Sequence, residues 1–103
     1  MKDLGIYCAG GFGREIYCLI FKTLKSPDWN FVGFFDDGVD KGKQLQYGDC
    51  LGGMNELNSW KTPIDIVIAN GNPQMLKKIS EGITNPLIDY TNITVSYTHL
   101  RAH

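Results

Sequence analysis

The chain opens on a short, mostly apolar run, Leu4 to Ala9, which ends in Ala9-Gly10-Gly11 and reads as a buried strand. The period then changes. From Phe12 to Leu24, apolar residues recur at Ile16, Leu19, Ile20 and Leu24, the spacing of one helix face. Pro27 closes this helix, with Lys22 and Lys25 suited to its negative end. A second strand runs from Asn30 to Phe35 and ends in Asp36-Asp37-Gly38. Residues 38 to 53 hold five glycines and small apolar pieces at Leu45, Tyr47 and Leu51, which predicts a polar connection with one or two very short strands. Met54 to Trp60 makes about two helical turns that bury Met54, Leu57 and Trp60.

Ile64 to Ala69 is the clearest strand, an Ile/Val-rich run of the kind buried on both faces. Asn70-Gly71-Asn72-Pro73 turns the chain, with Asn72 as N-cap and Pro73 at the first helical position. Leu76, Ile79 and Ile83 form the next helix's buried stripe, and Leu87-Ile88 adds a last strand. This alternation predicts an α/β fold, a Rossmann-like open parallel sheet with helices on both faces, over residues 1–92. Residues 93–103 break the pattern. Val95 to His103 has no stripe, cap or closing turn and reads as a non-native tail.

Composition narrows the classes. The chain's 103 residues suffice for one small domain, and 43% hydrophobic with 20% charged residues is a globular balance. Ten Lys+Arg against eleven Asp+Glu give a net charge of -1, without the basic excess of a nucleic-acid partner. The apolar runs are too short for a membrane span and no signal peptide is visible, so a cytoplasmic location is expected. Cys8, Cys18 and Cys50 lie far apart, and His99 and His103 sit at the extreme end. Reduced thiols and no metal site are expected.

Candidate chemistry lies at the strand ends. Gly10, Gly11, Phe12 and Gly13 join the first strand to the first helix, where glycine lets backbone approach a phosphate and free helix N–H groups attract it. The dinucleotide fingerprint is met at Gly10 and Gly13, but its first glycine is Cys8. A tight turn with no ligand is the plain alternative. Asp36 and Asp37 end the second strand about twenty residues on, where such folds place an acid on ribose. The alternative is a solvated Asp-Asp-Gly turn. Gly71 can let a flat base lie against the backbone and Gln74 can hydrogen-bond it, unless the segment around Asn72 is merely a capped helix start. Arg14 can reach a phosphate or remain a surface residue. No nucleophile–base arrangement is readable, so no catalytic residue is expected. The residues alone suggest NAD.

Four motifs in order, Ile6-Tyr-Cys-Ala-Gly-Gly-Phe-Gly-Arg-Glu15, Val32-Gly-Phe-Phe-Asp-Asp37, Leu51-Gly-Gly53 and Val67-Ile-Ala-Asn-Gly-Asn-Pro73, resemble the N-terminal domain of bacterial sugar acetyltransferases of the PglD/NeuD type. The resemblance covers about residues 2 to 95. It implies a Rossmann-like domain that holds a UDP-sugar, joined in the parent to a left-handed β-helix of hexapeptide repeats. That second domain trimerises, binds acetyl-CoA and supplies the catalytic histidine. By motif, Gly10, Gly11, Phe12 and Gly13 would form the phosphate-side loop. Asp36 and Asp37 would hold the uridine, and Gly71, Asn72 and Gln74 would border base and sugar. The chain departs from the pattern at Cys8, where glycine is usual, and at Asn70, where an aliphatic residue is commoner. Ile88-Asp89 departs again, since a histidine-proline pair commonly follows that isoleucine. The implied function is nucleotide-sugar binding for an acetyltransferase of surface polysaccharide or glycan synthesis. This chain alone, lacking the acetyl-CoA site, is expected to be inactive. A non-catalytic NAD-binding or nucleotide-sensing module is the alternative.

Overall fold

The computed structural model describes residues 2–8, 10–23 and 29–92. Four strands, β1 (Lys2–Tyr7), β2 (Trp29–Phe35), β3 (Ile64–Ile68) and β4 (Ile88–Asn92), pair in parallel in the order β2-β1-β3-β4. Helix α1 (Gly11–Tyr17) continues into a π-helical segment, Cys18–Thr23, while α2 (Met54–Asn58) and α3 (Pro73–Gly82) follow β2 and β3. The expected open α/β sheet is therefore present. The connection from β1 goes to one side of it and the next returns to the other, so the winding reverses between β1 and β3.

Alternation along the strands builds two cores. Leu4, Ile6, Phe34, Val67 and Ala69 point to one face and pack against Ile16 and Ile20 of the first helix. Tyr7, Phe35, Ile64, Ile66, Ile68 and Ile88 point to the other, against Leu57 of α2 and Leu76 and Ile79 of α3. This division accounts for the uninterrupted apolar run of β3, whose alternate residues serve opposite layers.

Several elements differ from the sequence expectation. The first helix widens into π turns after Tyr17, a change that the spacing of Ile16 and Ile20 does not reveal. Its aromatic side packs outward, with Tyr17 5.0 Å from Phe21, 4.8 Å from Phe31 and stacked on Tyr47 at 4.6 Å. Helix α2 stops at Asn58, before Trp60, and the last strand runs on from Ile88 to Asn92 rather than ending with Ile88. Lys25, Pro27, Ala9 and the expected tail from residue 93 lie outside the described residues.

The polar connection behaves as a strap. The β1–β2 register shifts between Leu4 and Gly5, leaving Val32 without a partner, and Gly33 takes φ +148°. A Cβ on Gly33 would stand 2.7 Å from the Asp49 carbonyl oxygen, so only glycine admits residues 49–52 alongside β2. The N–H of Phe34 donates to the Asp49 carbonyl at 3.0 Å, Leu51 to Phe34 at 2.7 Å and Asp36 to Gly52 at 2.8 Å. These bonds cover the β2 edge and anchor the Asp36–Asp37 turn.

Candidate functional site

Helix α1 lies so close to the end of β1 that a Cβ on Gly13 would collide with the Cys8 carbonyl oxygen. Cys8 itself has φ +90°, a conformation that side-chain-bearing residues rarely adopt. A glycine would reach it freely, which explains the fingerprint's usual residue there. Burial pushes the Cys8 thiol pKa up, and a hydrogen bond from Asn70 only partly opposes that.

Beyond the strand ends opens a cleft of ≈ 420 Å³. Tyr7 and Cys8 form its floor and Asp36, Asp37 and Gly38 one rim. Met75, Lys78, Ile79 and Gly82 of α3 make a wall, and Met54 of α2 closes the end. The two carboxylates are held differently. Asp36 Oδ1 accepts from the Gly38 N–H at 2.8 Å, a local turn bond. Asp37 joins three elements: its Oδ2 accepts from the Tyr7 hydroxyl at 2.7 Å and its Oδ1 from the Met54 N–H at 2.9 Å. The N-cap of α2 is Gly53, which has no side chain, so Asp37 supplies the missing cap from 17 residues upstream. A side chain on Gly53 would collide with that carboxylate.

Residues 3–83 match the family model of the PglD N-terminal domain. The chain belongs to this family. No curated protein matches it.

In this PglD N-terminal domain the expected site residues fall into three groups. Asp36 and Asp37 border the cleft. Gly10 and Gly11 are exposed at the start of α1, and Gly11 instead borders a shallow depression of ≈ 560 Å³ with Arg14, Glu15, Cys18, Gln46 and Tyr47. Phe12 packs against the α1-face core, and Gly13 is buried under Cys8.

Gly71, Asn72 and Gln74 are exposed around the start of α3. Asn72 Oδ1 caps that helix, accepting from the N–H groups of Gln74 at 2.9 Å and Met75 at 3.4 Å. The cleft wall begins one residue later, at Met75. The segments that lead into the glycine turn and the Gly71 turn lie side by side: the Ala69 N–H donates to the Tyr7 carbonyl at 3.0 Å and Asn70 Nδ2 donates to Cys8 Sγ at 3.9 Å.

Sequence reasoning missed Tyr7, Met54, Met75, Lys78 and Ile79 as lining residues. A signal existed for α3: Met75, Lys78 and Gly82 recur at helical spacing beside the Leu76–Ile79 stripe, so they share the edge facing the strand ends. Lys78 is exposed and forms no ion pair with another described residue. Among the described residues no group of three or more His, Cys, Asp or Glu could hold a metal ion, and no helix is long and apolar enough to cross a membrane.

Proposed function

We propose that this domain binds a nucleotide-linked sugar, expected to be a UDP-sugar, and serves as the substrate-holding part of a cytoplasmic, acetyl-CoA-dependent sugar acetyltransferase. The observation that carries the reading is the cleft itself. In a chain of this family, it is lined by two carboxylates at the end of β2 and by a lysine on α3. Ribose hydroxyls and a base N–H are donors, and carboxylates are acceptors. An ionised carboxyl offers about four acceptor positions, so Asp37 retains capacity after its two bonds within the chain. Met54 and Met75 present soft apolar surface suited to a flat ring. Lys78 supplies a point charge for a diphosphate.

Within the parent's reaction this domain binds and orients. Acetyl-CoA, the hexapeptide repeats and the trimer belong to the rest of the parent in this reading. NAD is the second ligand to consider, favoured by the glycine turn at α1 and by an acid at the end of β2.

Parallel calorimetric titrations with a UDP-amino sugar, NAD and acetyl-CoA test the proposal. The UDP-sugar is expected to bind and the other two are not. Asp36→Asn removes a charged acceptor and is expected to weaken UDP-sugar binding by about 1.5–3 kcal/mol, roughly ten- to a hundredfold. Tighter binding of NAD, or unchanged UDP-sugar affinity in Asp36→Asn, would overturn it.

A further inference from the structure

Both oxygens of Asp37 accept from donors that the fold holds in place. One donor is the Tyr7 hydroxyl, 2.7 Å from Oδ2, and the other is the Met54 N–H, 2.9 Å from Oδ1. Tyr7 ends β1, a strand with neighbours on both sides, and is paired with Phe35 of β2 and Ile68 of β3. It is 3% exposed and its ring packs in the α3-face core, so the hydroxyl cannot follow Asp37 elsewhere. Met54 is fixed as well. The Gly53 N–H beside it donates to Glu56 Oε1 at 3.0 Å, and the Asp36 N–H donates to the Gly52 carbonyl at 2.8 Å, which wraps the start of α2 around the acidic turn.

Tyr7, Asp37 and Met54 all line the cleft. Asp37 is exposed at its rim, where a carboxylate without partners samples several rotamers and a ligand would have to arrest that motion on binding. The two bonds have arrested it already. Each oxygen keeps a further lone pair, so acceptor positions remain whose directions are set before a ligand arrives. The two donors differ in what else they serve. The Met54 bond caps α2, whereas a phenylalanine at position 7 would fill the same core as Tyr7. What the hydroxyl adds is the bond to Asp37.

We propose that Tyr7 is a positioning residue for the nucleotide: its hydroxyl holds Asp37 so that the carboxylate's remaining lone pairs meet ligand donors, ribose hydroxyls or a base N–H, in a fixed direction. This rests on the nucleotide-sugar reading for the ligand. Tyr7 acts through Asp37, so its effect on binding vanishes once that carboxylate is gone.

The test is a double-mutant cycle of Tyr7→Phe and Asp37→Asn, the four proteins checked for folding by circular dichroism and titrated calorimetrically with UDP and with NAD. Asp37→Asn leaves an oxygen to accept from Met54 and removes the second acceptor. Tyr7→Phe alone is expected to weaken UDP binding roughly five- to twentyfold, within the range of couplings in one hydrogen-bond network. On the Asp37→Asn background the same change is expected to weaken it less than about twofold. Unchanged UDP affinity in Tyr7→Phe overturns the proposal. So does an equal loss on both backgrounds, which a disturbed cleft floor would give. An unmodified chain that binds NAD but no UDP, with an NAD loss that depends on Asp37, supports the positioning role and refutes the UDP-sugar reading. UDP binding with a loss independent of Asp37 does the reverse, and binding of neither ligand overturns both. If Asp37→Asn fails to fold or binds too weakly to measure, Tyr7→Phe decides alone: weakened UDP binding in the folded variant supports the role and unchanged binding overturns it.

Discussion

Tyr7 and Asp37 show how single side chains join the fold to the site. The Tyr7 ring belongs to the core between the sheet and α3, and its hydroxyl reaches the cleft to donate to Asp37. Its pKa is held well above the ordinary 10.0, first by burial and then by the hydrogen bond to that carboxylate. The fold thus accommodates the protonated phenol, whereas an unfolded chain releases the proton near the ordinary value. The resulting stability is complete below about pH 10 and is lost as the pH rises beyond it. Lys2, raised by its hydrogen bonds to Asp65 and Asp89, loses stability in the same direction above its ordinary 10.5. Tyr7→Phe is expected to cost about 1–2 kcal/mol at neutral pH, from the lost bond to Asp37. It is also expected to flatten, without abolishing, the fall in urea midpoint on the alkaline side. Equal alkaline slopes in the two proteins would contradict this account of Tyr7.

At the scale of elements, α3 is the helix whose start and face were legible; its stop was not, since Ile83, expected in the buried stripe, is extended and follows the last helical residue, Gly82. Asn72 caps it, Pro73 opens it, and Leu76 and Ile79 bury it. Asn72→Ala should remove two accepted N–H bonds and cost about 1 kcal/mol, lowering the melting temperature by roughly 4–8 °C for a domain of this size. Calorimetry on the variant checks it, and Asn72→Asp, which keeps the acceptor, is expected to stay near the parent. The parallel sheet was legible because β1, β2 and β3 each carry apolar residues bounded by turn residues, whereas β4, Ile88–Asn92, is mostly polar and only its start was marked.

What escaped was set by partners distant in sequence. Nothing around Cys18 announces a π turn; its widening goes with contacts to Phe31 and Tyr47. The strap over β2 depends on Asp49 meeting Gly33, and the cap of α2 on Asp37 meeting Met54. In the cleft, the acidic pair was visible because turn chemistry marks it, while Lys78 was hidden among ordinary helix-surface lysines. The Cys8–Asn70 contact shows the limit: both residues stood out as departures from a motif, yet only the strand order brings them together.

The whole molecule is one sheet with a core on each face, and the sheet makes the two cores a single cooperative unit. Every strand except β4 contributes to both layers among the described residues: Leu4 and Tyr7 from β1, Phe34 and Phe35 from β2, Val67 and Ile66 from β3. Away from the cleft, polar contacts cross all four strands. Lys2 of β1 pairs with Asp65 of β3 at 2.8 Å and Asp89 of β4 at 2.9 Å, and Trp29 of β2 donates its indole N–H to Asp65 at 2.9 Å. Neither face can therefore melt without disturbing strands that the other needs. The chain carries two tryptophans, one for each layer: Trp29 packs against the α1-face core and Trp60 against the α3-face core, with Phe35 edge-on at 5.5 Å. Trp29→Phe and Trp60→Phe leave a single reporter on opposite faces. In each variant the urea midpoint followed by the remaining tryptophan's fluorescence is expected to coincide with that followed by far-ultraviolet circular dichroism, as for a two-state domain. Ile16→Ala and Ile79→Ala, which open cavities in opposite layers, should each cost about 2–5 kcal/mol. Each should move both reporters together. If Ile16→Ala shifted the Trp29 transition while leaving the Trp60 transition in place, the two layers would be separate folding units and the sheet would not couple them.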